Sequence, residues 1–101
     1  MRLWIDDVRP MPAGFDVHAR TAREALAHLR SGGVVHVSFD HDLGATSAKT
    51  GYDVAEWIER EAHAGRLRRL TWAIHSANPV GQKNIRAAME SADRAWSAAE
   101  T

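Results

Sequence analysis

VHVSFDHDLG, residues 35–44, decides how this chain is read. An apolar run from Val34 to Phe39 stops abruptly at Asp40, His41 and Asp42, with Leu43 and Gly44 beyond. A short apolar run closed by turn residues is the pattern of a buried strand of a parallel sheet. Such sheets carry their ligand crevice beyond the carboxyl ends of the strands. Two carboxylates and an imidazole at a strand end therefore mark a candidate site, provided that neighbouring strands end in the same way.

Two others do. Leu3–Ile5 is a short apolar run that ends at Asp6 and Asp7, and Leu70–Ile74 ends at His75 and Ser76. Between them, RPMPAG at 9–14 breaks any regular element. Phe15–Ala19 alternates apolar and polar as an edge strand does. Thr21, with Glu24 at capping-box spacing, opens a helix whose Ala22, Ala25, Leu26 and Leu29 share one face, and Ser31-Gly32-Gly33 stops it. Residues 44–50, small and polar, read as a mobile loop. A second helix follows Gly51, with Thr50 and Asp53 at capping spacing and Val54, Ala55, Trp57, Ile58 and Ala62 on its apolar face. It ends at Gly65. Asn78 caps a third helix with Pro79 at its first position, and Ile85, Ala88, Met89, Ala92 and Trp96 form its stripe.

The order β-β-α-β-α-β-α predicts an α/β fold with a four-stranded, mainly parallel sheet and three helices. Adjacent strands lie about 4.8 Å apart, so the three polar strand ends converge if their strands are neighbours. Residues 6–14 separate the first two strands, fewer than the dozen or so that a parallel crossover usually takes, so their relative direction stays open.

Composition narrows the chemistry. The chain has 101 residues, 45% of them hydrophobic, and reads as one domain, 1–101. Thirteen basic and thirteen acidic side chains balance, which argues against reliance on bulk electrostatic attraction to nucleic acid or membrane. There is no cysteine, so metal ligands must come from His, Asp or Glu. No apolar stretch is long enough to span a bilayer, and carboxylates interrupt the N-terminus too early for a signal peptide. The expectation is a soluble, cytoplasmic protein.

Each cluster has a functional and a plain reading. Asp6 and Asp7 with Asp40 across the crevice form an oxygen-only set suited to Mg²⁺, Mn²⁺ or Ca²⁺; otherwise they cap backbone N–H groups in solvated turns. Asp42 shares a side with Asp40 if the strand continues, and His41 then faces away. His41 is either an acid–base group or a surface residue like His18, His28 and His63. His75 beside Ser76 makes a poor nucleophile pair, because adjacent side chains diverge. Asn78 and Pro79 open a helix whose N–H groups can meet an anion, Gly81 permits close approach, and Lys83 and Arg86 are phosphate ligands or plain surface charge. Arg9 is a phosphate clamp or the ion-pair partner of Asp6 or Asp7. Trp4, Trp57, Trp72 and Trp96 read as core.

WIDD, SFDHDLG and HSA, each closing a strand, resemble the receiver domain of two-component signalling. Asp6 and Asp7 match its acidic pair, Asp40 its phosphoacceptor and Ser76-Ala77 its Thr-Ala. RPMPAG stands where a receiver has its first helix, and no fifth strand with its lysine follows. LWIDDVRPMPAGF, SFDHDLG, TGYDVAEWIE and IHSANPVGQKNI together resemble the cyclic-phosphate processing receiver domain over residues 2–88. That resemblance implies a reduced receiver, a flavodoxin-like three-layer sandwich. It implies a metal-assisted phosphoesterase acting on 2′,3′-cyclic or terminal phosphates of nucleotides or RNA ends, with RNA-repair proteins as partners. Asp6, Asp7, Asp40 and Asp42 would hold Mg²⁺ or Mn²⁺. His41, His75 and Ser76 would be catalytic, since ring opening needs a base for water and an acid for the leaving oxygen. Arg9, Asn78 and Lys83 would bind the phosphate. The alternative is a non-catalytic receiver-like domain that binds a divalent cation and a partner.

Overall fold

A computed structural model describes residues 1–44 and 49–100. The loop expected at 44–50 lies largely outside these residues. The elements are β1 (Arg2–Ile5), β2 (Val17–Ala19), α1 (Ala22–Ser31), β3 (His36–Phe39), α2 (Gly51–His63), β4 (Thr71–Ile74) and α3 (Pro79–Ala99). The strands form one all-parallel sheet in the order β2-β1-β3-β4. β2 runs parallel to β1, which settles the direction that the sequence leaves open. Three strands are shorter than the apolar runs: Phe15, Val34 and Leu70 fall outside β2, β3 and β4.

The caps explain the helix starts. Thr21 Oγ1 accepts from the Glu24 N–H at 3.1 Å. The Thr50 N–H donates to Asp53 at 2.6 Å, and Asn78 Oδ1 accepts from the Gly81 N–H at 3.0 Å. Each bond satisfies a main-chain donor at the helix start that lacks an intrahelical partner.

The crossovers β2→β3 and β3→β4 move the same way across the sheet, so the right-handed rule puts α1 and α2 on one face, and α3 packs on α2. Leu3, Ile5, Val37 and Phe39 point into that face and are fully buried with Leu29, Val54, Ile58, Ile85 and Met89. Truncating a buried Phe such as Phe39 to Ala costs about 3–5 kcal/mol.

The sandwich has helices on this face only. The third layer is supplied by residues 6–16, which replace a crossover helix. The Asp16 N–H donates to the Arg2 carbonyl at 2.9 Å, and the Asp16 carboxylate accepts from the Arg2 N–H at 2.7 Å. Phe15 sits edge-on to Trp4 at 5.2 Å, and the Trp4 indole N–H donates to the Arg9 carbonyl. Trp4 is therefore buried, but beneath this strap and not in the helical core. Trp96 lies in the core; Trp57 and Trp72 are half-buried against it.

Candidate active site

The parallel ladder continues one residue past the strands. Asp6 N–H bonds to Ala19 O, Asp40 N–H to Ile5 O and His75 N–H to Phe39 O, at 3.0, 3.0 and 2.9 Å. Asp6, Asp40 and His75 thus stand abreast on adjacent strands, in one row. Side-chain alternation turns that row to the face of Trp4 and Ser38. Three of the strand-end residues singled out from sequence are brought together by backbone pairing alone.

Asp6 is fully buried and fully used. Its Oδ1 accepts from the N–H groups of Val8 and Arg9 at 2.9 and 2.7 Å, and its Oδ2 faces His75 Nε2 at 3.0 Å. Burial pushes the Asp6 carboxyl up, but these donors outweigh it and hold the group below the usual carboxylate range. Burial lowers the His75 pKa more than Asp6 and Asp40 raise it. The pair is therefore carboxylate with neutral imidazole. His75 Nε2–H donates to Asp6, and His75 Nδ1 accepts from the Ser38 hydroxyl at 2.8 Å. Trp4 stacks on the ring at a centroid distance of 3.8 Å. Both ring nitrogens of His75 are occupied, by Ser38 and Asp6.

Asp40 differs. Burial pushes its carboxyl up and the charge of Asp6 adds to the push; His75, the Ser76 hydroxyl and Arg9 oppose only partly. Ser76 is buried, donates to Asp40 and accepts from the Asn78 N–H at 3.1 Å. Asp7 completes the group. Asp6, Asp7 and Asp40 each offer a carboxylate oxygen, and the three oxygens lie within 4.8 Å of one another. An all-oxygen set of this size fits a hard divalent cation.

Asp42 is not part of that group among the described residues. Its carboxylate accepts from His41 Nδ1 at 2.9 Å and from Asn78 Nδ2 at 3.4 Å, and this pairing with His41 holds it below the usual range. His41 lies over the first turn of α3. A Cβ on Gly81 would fall within its ring, so Gly81 makes room for the imidazole. Gly51 plays the same part beneath Asp40, where a Cβ would overlap the Asp40 carbonyl. Asn78 is spent on its cap and on Asp42. Lys83 is exposed and, with Arg86, lies away from the cavity described next. His18, expected to be exposed, is half-buried, with Nε2 donating to the Asp6 carbonyl at 2.7 Å.

A cavity of about 430 Å³ opens beside the carboxylates. Asp7, Arg9, Asp40, Asp42, Lys49 and Thr50 supply its polar lining. Arg9 lies 4.0 Å from Asp6, as its ion-pair reading expects, bonds the His75 carbonyl at 2.6 Å and lines the cavity. Neither His41 nor His75 is among the described residues lining it. Lys49, Ser38 and Trp4 were not singled out by sequence as site residues. For Ser38 the signal was present, since it stands two before Asp40 on one face of β3. Lys49 had none, because its place depends on the path into α2.

The family model of the cyclic-phosphate processing receiver domain matches residues 1–91. The chain belongs to that family. This receiver keeps the acidic corner Asp6-Asp7-Asp40 and has the His75–Asp6 and His41–Asp42 pairs built against it. Searches of curated proteins and of solved structures find no match. No helix among the described residues is long and apolar enough to cross a membrane.

Proposed function

We propose that this receiver is a phosphoesterase assisted by a divalent cation, Mg²⁺ or Mn²⁺, that opens 2′,3′-cyclic phosphates or removes terminal phosphates of nucleotides or RNA ends. The observation that carries the reading is the meeting of three carboxylate oxygens within 4.8 Å at the edge of a cavity that also holds Arg9 and Lys49. A bound cation supplies charge neutralisation at the phosphoryl oxygens. Asp6, Asp7 and Asp40 are its ligands. His75, with Ser38 and Trp4 behind it, keeps the Asp6 carboxylate aimed, and Ser76 does the same for Asp40. Arg9 and Lys49 meet the remaining phosphate charge from the cavity wall. His41 is the acid–base residue: Asp42 accepts a hydrogen bond from Nδ1–H, which fixes the tautomer and leaves Nε2 to exchange a proton with water or the leaving oxygen.

The test is turnover of 2′,3′-cyclic CMP with Mn²⁺. His41→Ala is expected to lose about 10²–10⁴-fold in kcat, the usual worth of a positioned acid–base group. Undiminished turnover in His41→Ala refutes its role. A second reading has one observation in its favour, that neither histidine is among the described cavity lining. It is a cation-binding receiver without hydrolysis, and a Mn²⁺-dependent rise in melting temperature with no turnover selects it.

A further inference from the structure

A second cavity of about 430 Å³ lies among the segments that precede β3 and β4, at the amino ends of those strands. The acidic corner is at their carboxyl ends. Its apolar lining is Leu29, Val34, Val35 and Leu67, and its charged lining is Arg30, Arg66, Arg68 and Arg69. Val35 is 58% exposed and offers the basin some apolar surface.

Charge there is not balanced. Glu61 holds Arg66, and Glu100 holds Arg69 at 3.3 Å. Arg30 lies over the Trp57 ring at 5.7 Å, and Glu61 feels its charge and that of Arg60 without pairing with either. No acidic partner is bound to Arg68 among the described residues. Of the four guanidinium groups, Arg66 and Arg69 are held by these carboxylates, and Arg69 also donates to the Asp93 carbonyl and Ser97 Oγ, which leaves Arg30 and Arg68 without a carboxylate partner among the described residues. Planar guanidinium forks match phosphate oxygens, and exposed Val35 with half-buried Val34 and Leu67 gives a base an apolar wall to lie against. A lone small anion would not use that wall.

We propose that this basin binds the phosphodiester backbone and bases of single-stranded nucleic acid. It holds the chain at the opposite end of the sheet from the acidic corner. The inference is independent of hydrolysis, because the basin shares no lining residue with the acidic cavity.

The test is fluorescence anisotropy of a labelled ten-nucleotide oligo(U) RNA, in EDTA, with the intact protein. Arg30→Glu/Arg68→Glu is expected to weaken binding at least tenfold. It should also flatten the plot of log K against log salt by about 1.4, that is ~0.7 for each of two lost phosphate contacts. Arg23→Glu/Arg94→Glu, two exposed reversals away from the basin, matches the change in net charge and should stay within twofold. Circular dichroism melts confirm that all variants are folded. Equal affinity in Arg30→Glu/Arg68→Glu and the Arg23→Glu/Arg94→Glu control overturns the proposal. Displacement of the RNA by equimolar inorganic phosphate or UMP overturns the chain reading in favour of a single-anion pocket. Loss of RNA binding in Arg30→Glu/Arg68→Glu with cyclic-CMP turnover unchanged supports the basin and leaves the catalytic reading standing.

Discussion

Asp40→Asn is expected to stabilise the protein when no cation is present and to destabilise it relative to wild type when one is. The carboxylate oxygens of Asp6, Asp7 and Asp40 lie within 4.8 Å of one another. Two unit charges at that distance repel by about 3.5 kcal/mol at an effective dielectric constant near 20, before solvent and nearby partners are counted. Asp7 is partly exposed, and Ser76, Arg9 and His75 offset part of the repulsion. Discounting for solvent and these partners leaves about 1 kcal/mol gained by removing the charge. An Asn oxygen still accepts from Ser76, so little else is lost. In a domain of this size about 1 kcal/mol moves the melting temperature by roughly 4–8 °C. The pH dependence follows from the raised pKa. A group whose folded value lies above its unfolded one contributes stability that is complete at low pH and disappears as pH rises through the folded value. The advantage of Asp40→Asn in EDTA should therefore be present at pH 7 and shrink toward pH 4. With Mn²⁺ at one hundred times its Kd, wild type gains about 2.7 kcal/mol and the order of the two proteins reverses. Differential scanning fluorimetry at both pH values, with and without Mn²⁺, measures all of this. An Asn variant that melts below wild type in EDTA, or that keeps the full Mn²⁺ shift, refutes the reasoning.

Three further outcomes are expected. His36 is pushed down by burial and by Arg2, and His75 by burial against Asp6, so both favour the neutral ring in the fold. Stability from such groups is present above the unfolded histidine value of about 6.5 and is lost as pH falls below it. The melting temperature should drop from pH 7 to pH 5 in the Asp40→Asn background, where Asp40 cannot mask it, and a flat profile contradicts this. Gly51→Ala places a Cβ on the Asp40 carbonyl. Its overpacking cost of about 1–3 kcal/mol should exceed the helix-propensity gain of about 1 kcal/mol, so a variant that gains stability in urea melts disproves the close approach. Ser38→Ala leaves His75 Nδ1 without its hydroxyl partner and should cost about 1–3 kcal/mol by urea denaturation; an unchanged midpoint removes Ser38 from the Asp6 support.

The strand ends were legible in the sequence because period and punctuation are local. Apolar runs ending in Asp6-Asp7, Asp40 and His75 need only a parallel sheet to meet, and the ladder bonds that align Asp6, Asp40 and His75 are that sheet continued by one residue. The partners of the histidine rings were not legible, because they are set by distant parts of the chain. His75 meets Asp6 and Ser38, residues 69 and 37 positions away. His41 turns to its neighbour Asp42 and lies against Gly81 on α3. Nor did the spacing of the first two strands reveal that residues 6–16 would form a layer. That layer depends on Phe15, Trp4 and Arg9 closing over a face that has no helix.

Net charge is silent on placement for a related reason. A balance of thirteen against thirteen is a sum over the chain, whereas recognition depends on where charges fall. The fold carries Asp6, Asp7 and Asp40 to the carboxyl ends of the strands and Arg30, Arg66, Arg68 and Arg69 to the opposite end. Parallel strands make this separation possible, because every loop that leaves a strand lies at one end of the sheet and every loop that enters one lies at the other. In the sequence, Asp40 and Arg30 are ten residues apart and read as one mixed surface. In the fold β3 stands between them. If the acidic end holds a cation and the basic end holds RNA as proposed, salt should weaken RNA binding at the second without abolishing cation binding at the first.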